Sequence, residues 1–152
     1  MSGTAKQIAA ILLVSGVVAV VANVVHPRGI PFVQSWSNHV EARARKAGIN
    51  VIPLSVALTT KAQFIDVRPR EEFDRGHIPD ALSIPLSAWE ERFITLASHV
   101  EAKTPMILYC SNRECDDALL LALEIQQFGG TNFYLYVDGF DVWEKHGGPV
   151  ER

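Results

Sequence analysis

The sequence predicts an α/β domain built on a parallel sheet with helices on both faces, preceded by one transmembrane helix. Three observations carry this. Strand-like and helix-like segments alternate from Asn50 to the end of the chain, the pattern of a parallel sheet with crossover helices. Pro105-Met-Ile-Leu-Tyr-Cys110 is a continuous apolar run, as expected of a strand buried on both faces. Ile8–Val25 is an uncharged stretch of 18 residues, roughly 27 Å long as a helix and close to the thickness of a bilayer core.

Composition sets the bounds. The chain has 152 residues, of which 48% are hydrophobic, enough for one domain with its own core and a short extra element. A net charge of −3 argues against a nucleic-acid partner. There are two cysteines, Cys110 and Cys115, too few for a disulfide scaffold or an unaided zinc site. The five histidines have no ligand-like spacing, so no metal and no cofactor is expected.

Taken in order, the segments read as follows. Residues 1–28 hold a short tail and the span, which His26-Pro-Arg-Gly29 stops, because proline cannot continue a helix and arginine reaches headgroups. The run is longer than a signal-peptide core and lacks an A-x-A-like cleavage site. It is also apolar all round, which a core helix at the start of a chain rarely is. Ser15 and Gly16 hint at packing against a membrane-protein partner. The reading is a single-pass protein of a bacterial inner membrane. Arg28, Arg43, Arg45 and Lys46 outnumber Lys6 and the α-amino group, which favours a cytoplasmic C-terminal side.

Residues 29–49 read as a juxtamembrane connector. Phe32, Val33, Trp36 and Val40 recur at helix-like spacing before the charged Glu41-Ala-Arg-Ala-Arg-Lys46. Two readings stand, an interfacial amphipathic helix or a solvated helical linker, and Gly48 ends either one. The domain proper is expected over 50–152. Gln63–Asp66 is a short strand, Arg70–Asp74 a helical turn closed by Gly76, and Leu82–Pro85 a second strand. Ser87 and Glu90 form a capping box opening a helix faced by Trp89, Phe93, Leu96, Ala97 and Val100. Ala118–Phe128 is a helix closed by Gly129-Gly130. Asn132–Val137 is the last strand, Asp138-Gly139 a turn, and Trp143 opens a final helical piece.

Chemistry points to Cys110. It stands where a buried strand ends and a helix begins, with the polar Ser111-Asn-Arg-Glu-Cys115 between them. Ligands of open α/β sheets bind at the carboxyl ends of the strands. The N–H groups of a helix N-terminus and a tight loop favour an anion there. A thiol so placed becomes a better thiolate, which is the nucleophile. A buried structural cysteine is the bland alternative, and a polar loop has no packing reason to follow one.

The residues also carry a resemblance. Phe64-Ile-Asp-Val-Arg68, Glu72-Phe73, Gly76-His-Ile-Pro79, Ile84-Pro85, Leu108-Tyr-Cys110, Gly139 with Trp143, and Gly148-Pro-Val150 resemble a single rhodanese domain over about 100 residues. Membrane-anchored versions occur among bacterial rhodanese-like proteins. The resemblance implies a rhodanese-like parallel sheet and a sulfurtransferase. Cys110 would take sulfane sulfur from a small donor such as thiosulfate as a persulfide and pass it to a thiol or cyanide. It implies an active-site loop of Ser111, Asn112, Arg113, Glu114, Cys115 and Asp116, with backbone N–H groups stabilising the thiolate and Arg113 holding an anionic donor. Asp66 and Arg68 are implied as structural support, and His77 as a turn-stabilising side chain.

The departures from the family pattern bear on activity. The loop has no glycine, so Asn112 is the candidate for a left-handed residue. Asp80 and Asp138 stand where glycine is frequent, and Cys115 where arginine is. Glu114, Asp116 and Asp117 oppose Arg113, which disfavours anionic donors, although one aspartate is expected to cap the helix. Cys115 would be a resolving thiol if its Cα lies within about 7 Å of that of Cys110. A phosphatase is disfavoured, because Asp116 follows C-x5 where a clamping arginine would be needed. A non-catalytic binding module and a Cys110/Cys115 dithiol redox protein remain as alternatives.

Overall fold

A computed structural model describes residues 3–26 and 38–152, which fall in two compact units, 1–34 and 35–152. The first holds α1, Gly3–Val25, 23 residues with no buried side chain. It is long and apolar enough to span a membrane.

The second unit carries four parallel strands: β1 (Gln63–Asp66), β2 (Leu82–Ser83), β3 (Met106–Tyr109) and β4 (Phe133–Tyr136). Their order is β2-β1-β3-β4. Ile65 pairs with Leu82 and Leu108, and Leu108 with Leu135. All four residues of β3 are buried, which is why this strand reads as an unbroken apolar run. Its side chains alternate between two cores. Met106, Leu108 and Cys110 join the core that packs α2 (His39–Lys46), α5 (Phe93–Glu101) and α6 (Asp117–Gln127). Ile107 and Tyr109 join the core that packs α3 (Leu54–Ala57), α4 (Arg70–Arg75) and α7 (Gly139–Lys145). Helices therefore cover both faces, and each buried leucine or isoleucine contributes about 1.5–3 kcal/mol.

Three expectations are corrected. His39–Lys46 is neither an interfacial helix nor a solvated linker. Val40 and Ala44, one turn apart, are buried in the core, so this part of the 29–49 stretch belongs to the domain. Phe32, Val33 and Trp36 lie outside the described residues. The helix expected from Ser87 begins at Phe93. Leu86–Ala88 is instead a 3-10 turn, and the bonds Ala88 N to Pro85 O (2.9 Å) and Arg92 N to Trp89 O (3.1 Å) continue as turns, so Ser87 and Glu90 cap nothing. Finally, Gly139 begins α7 rather than completing a turn.

Two backbone positions explain residue choices. Gly139 has φ +74°, and a Cβ there would lie 2.6–2.7 Å from the backbone of Cys110, Ser111 and Asn112. Asp80, one of the departures from glycine, adopts φ +61°, a region that aspartate tolerates better than most residues. Its carbonyl accepts a bond from Gln63 Nε2 at 2.7 Å.

Candidate active site at the end of the central strand

Cys110 follows β3 directly and is 3% exposed. The loop after it is held from beneath by α7: Phe140 N–H donates to Cys110 O at 2.8 Å, and Asp141 N–H to Ser111 O at 2.9 Å. Gly139 permits this approach because it has no Cβ. Ser111 Oγ donates to Glu72 Oε2 at 2.9 Å, tying the loop to α4.

The sulfurs of Cys110 and Cys115 form a disulfide across the loop, with Cα atoms 6.1 Å apart. Cys110 is therefore not a free thiol in this state, and its partner is the other cysteine of the chain. Cys115 is partly buried, so it is the more accessible residue of the pair. The Asp117 carboxylate lies with both sulfurs in a cluster whose candidate ligand atoms are all within 4.8 Å of one another. With the sulfurs bonded to each other, the cluster as it stands offers no thiolate to a metal.

Several loop residues take other roles than expected. Asn112 is not left-handed; among the described residues only Asp80 and Lys103 are non-glycine residues at positive φ. Asn112 Oδ1 instead accepts the Glu114 N–H at 3.0 Å, and Asn112 O accepts the Cys115 N–H at 3.2 Å. Two of the N–H groups expected to face an anion are thus spent within the loop. Arg113 is turned away to carboxylates: Nε to Asp138 at 2.5 Å and Nη1 to Glu41 at 3.1 Å, with Asn38 Oδ1 also at 3.1 Å. The Asp138 hydrogen bond and then the Glu41 contacts, working against burial, hold Arg113 above its ordinary pKa. The same network, led by Arg45 bonding to Glu41, lowers the Glu41 carboxyl. Asp116 occupies the N-cap position of α6 but makes no side-chain cap bond. Its carboxylate meets Arg43 at 2.5 Å and His39 at 2.9 Å. Glu114 is exposed, with its backbone N–H held in the loop turn.

Below the loop lies a buried polar knot. Arg68 donates to Asp66 through Nε at 3.0 Å and Nη2 at 2.6 Å, and to Gly76 O at 2.8 Å. Tyr109 OH donates to Asp66 Oδ2 at 2.7 Å and accepts the Ile78 N–H at 3.2 Å. The Arg68 guanidinium stacks 4.1 Å from the Phe140 ring centre. Burial opposes its charge, but the Asp66 bonds keep the Arg68 pKa raised. Burial and Asp66 together push the Tyr109 phenol far up. This knot joins β1, β3, α4 and α7 at the base of the loop. His77 sits apart, stacked on Phe73 with Nδ1 at 3.0 Å from Phe73 O.

Sequence reasoning missed the contribution of α2. Glu41, Arg43 and His39 reach the loop because Val40 and Ala44 seat the helix; the sequence pattern groups Val40 with Phe32, Val33 and Trp36 and gives no weight to Ala44. A cavity of about 470 Å³ beside Asp117, lined by Val67, Pro69, Pro85, Leu86 and Ser87, was also not anticipated.

An open parallel sheet with a cysteine at the carboxyl end of an inner strand, followed by a loop and a helix N-terminus, defines a class of α/β proteins whose ligand sites lie at that loop. The model of the rhodanese-like domain matches residues 54–146, and the chain belongs to that family. It is 35% identical over 91 residues to YqhL of Bacillus subtilis, an uncharacterized protein, covering 60% of this chain and 65% of that one. It is 31% identical over 91 residues to Rv0324 of Mycobacterium tuberculosis, an HTH-type transcriptional regulator, covering 58% and 37%. The chain thus spans less than two thirds of either relative. In fold it is similar to the thiosulfate sulfurtransferase of Pseudomonas aeruginosa, with a TM-score of 0.59 at 17% identity over 77% of this chain and 23% of that one.

Proposed function

We propose that this protein is a sulfurtransferase held to a bacterial inner membrane by α1, carrying sulfane sulfur as a persulfide on Cys110. The observation that carries the reading is the place of Cys110 at the carboxyl end of β3 in a rhodanese-like fold, with Cys115 at bonding distance. A dithiol reductant first opens the disulfide. The Cys110 thiolate then attacks the outer sulfur of a donor such as thiosulfate; the new S–S bond forms, the donor's S–S bond breaks, and sulfite leaves with the electron pair. Transfer follows to a thiol or cyanide. Alternatively, the Cys115 thiolate attacks the Cys110 sulfur, expels hydrosulfide and restores the disulfide. With Arg113 engaged by Asp138 and Glu41, the loop favours donors with little negative charge.

Intact mass spectrometry of the reduced full chain in detergent, after incubation with thiosulfate or polysulfide, tests this. A gain of one sulfur that is lost in Cys110→Ser and persists in Cys115→Ser supports the assignment. Loading that survives Cys110→Ser ends it. The disulfide itself favours a second reading, a dithiol–disulfide oxidoreductase, which would show no sulfur gain but thiol-dependent cycling of the pair.

A further inference from the structure

Asp117 is the first residue of α6, and its carboxylate shares one cluster, within 4.8 Å, with the sulfurs of Cys110 and Cys115. Its open side borders the 470 Å³ cavity, whose other lining residues carry no charge. The charged groups of the surrounding elements are committed elsewhere. Arg43 and His39 of α2 hold Asp116, Arg113 of the loop holds Asp138 and Glu41, and Arg68 after β1 holds Asp66. Glu114 and Asp116 add only negative charge, and the 3-10 turn Leu86–Ala88 has no titratable side chain. Among the described residues, no cation pairs with Asp117.

We propose that Asp117 is the catalytic proton donor and acceptor of the Cys110–Cys115 pair. Burial, and then the neighbouring Asp116 charge, raise the Asp117 carboxyl above its ordinary value, so it holds a proton into a less acidic range than a free aspartate. In reduction by a dithiol, the reagent thiolate attacks the sulfur of Cys115, the more accessible residue of the two. The reagent–Cys115 bond forms, the Cys115–Cys110 bond breaks, and the electron pair leaves on the Cys110 sulfur, which takes the Asp117 proton directly or through one water. The second reagent sulfur then displaces Cys115 and closes the reagent's own disulfide. The protein gains two electrons and the dithiol loses two. When Cys115 resolves a persulfide, Asp117 as carboxylate takes the Cys115 S–H proton; this second use rests on the function proposed above.

The test is the rate at which dithiothreitol reduces the disulfide of the full chain in detergent, followed by quenched alkylation and divided by the reagent thiolate concentration, from acid to neutral pH. The wild-type normalised rate should fall at least about tenfold as Asp117 loses its proton. Asp117→Asn should stay at the low value throughout, and Asp117→Glu should recover the pH-dependent step. A wild-type profile with no step overturns the proposal. So does an Asp117→Asn profile that parallels wild type or runs faster at every pH, which is what simple removal of a repelling charge would give. Failure of sulfur loading would end the proposed function without touching this measurement, which uses no sulfur donor.

Discussion

Replacing Gly139 by alanine separates backbone strain from steric conflict at the loop. Gly139 and Gly48 have nearly the same φ, +74° and +76°, so alanine at either incurs the left-handed cost of about 1–2 kcal/mol. At Gly48 a new Cβ meets nothing within 4 Å, whereas at Gly139 it meets the Cys110, Ser111 and Asn112 backbone at 2.6–2.7 Å. Backbone cannot swing aside as a side chain can, so Gly139→Ala adds an overpacking term of about 1–3 kcal/mol. Relief requires α7 to move, stretching the bonds from Phe140 N and Asp141 N to the loop carbonyls. The difference is read from thermal midpoints of the two full-length variants in one detergent, at about 2–4 °C per kcal/mol for a chain of this size. Gly139→Ala should also speed disulfide reduction by loosening the loop, and Gly48→Ala should leave that rate unchanged. Equal midpoint losses for the two variants would refute the claim that α7 packs against the loop through an absent side chain.

Two further predictions concern charge. Asp66→Asn leaves the buried Arg68 guanidinium without its carboxylate, the remaining acid being Glu72 at 3.9 Å, and should cost about 3 kcal/mol or more in chemical denaturation. A loss below about 1 kcal/mol would show that the pair is not the knot of the fold. Asp117 has a raised folded pKa, so its contribution to stability is full below the unfolded value and is lost as pH rises through the folded value. Asp117→Asn should therefore raise the thermal midpoint near neutral pH, and the gain should shrink on acidification. A gain that grows towards acid would reverse the assigned sign.

The sheet was legible because its strands obey simple rules. β3 is buried on both faces and so has no polar residue to confuse its period, and Gly129, at φ +82°, follows the C-cap of α6 as the Gly129-Gly130 stop predicts. The loop was less legible for a physical reason. Its position follows from chain order, but its electrostatics depend on α2, more than sixty residues earlier. Arg113 carries no mark in the sequence that Glu41 and Asp138 will consume its charge. Asn112 and Asp80 show the same limit from another side: both tolerate positive φ, and only packing decided that Asp80 adopts it while Asn112 folds its side chain back onto Glu114.

Under the proposed function, that capture of Arg113 would set donor preference, and Asp138 is the place to test it. Asp138→Asn removes one carboxylate from Arg113, leaving Glu41 and Asn38 as its partners. The loop becomes one charge less negative. At about 8 Å and an effective dielectric near 20, one charge acts on another by about 2 kcal/mol, roughly halved by physiological salt. The barrier to loading Cys110 should thus fall by about 1 kcal/mol for each negative charge on the donor, or about fivefold in rate. Thiosulfate, with two charges, should gain more than benzenethiosulfonate, with one, and both gains should shrink as salt is raised. Loading rates of the reduced variant and wild type, measured by mass for both donors, decide the matter. Equal gains for the two donors would point to a change in loop shape, and no gain at all would mean that the Arg113–Asp138 pair does not govern access to the nucleophile.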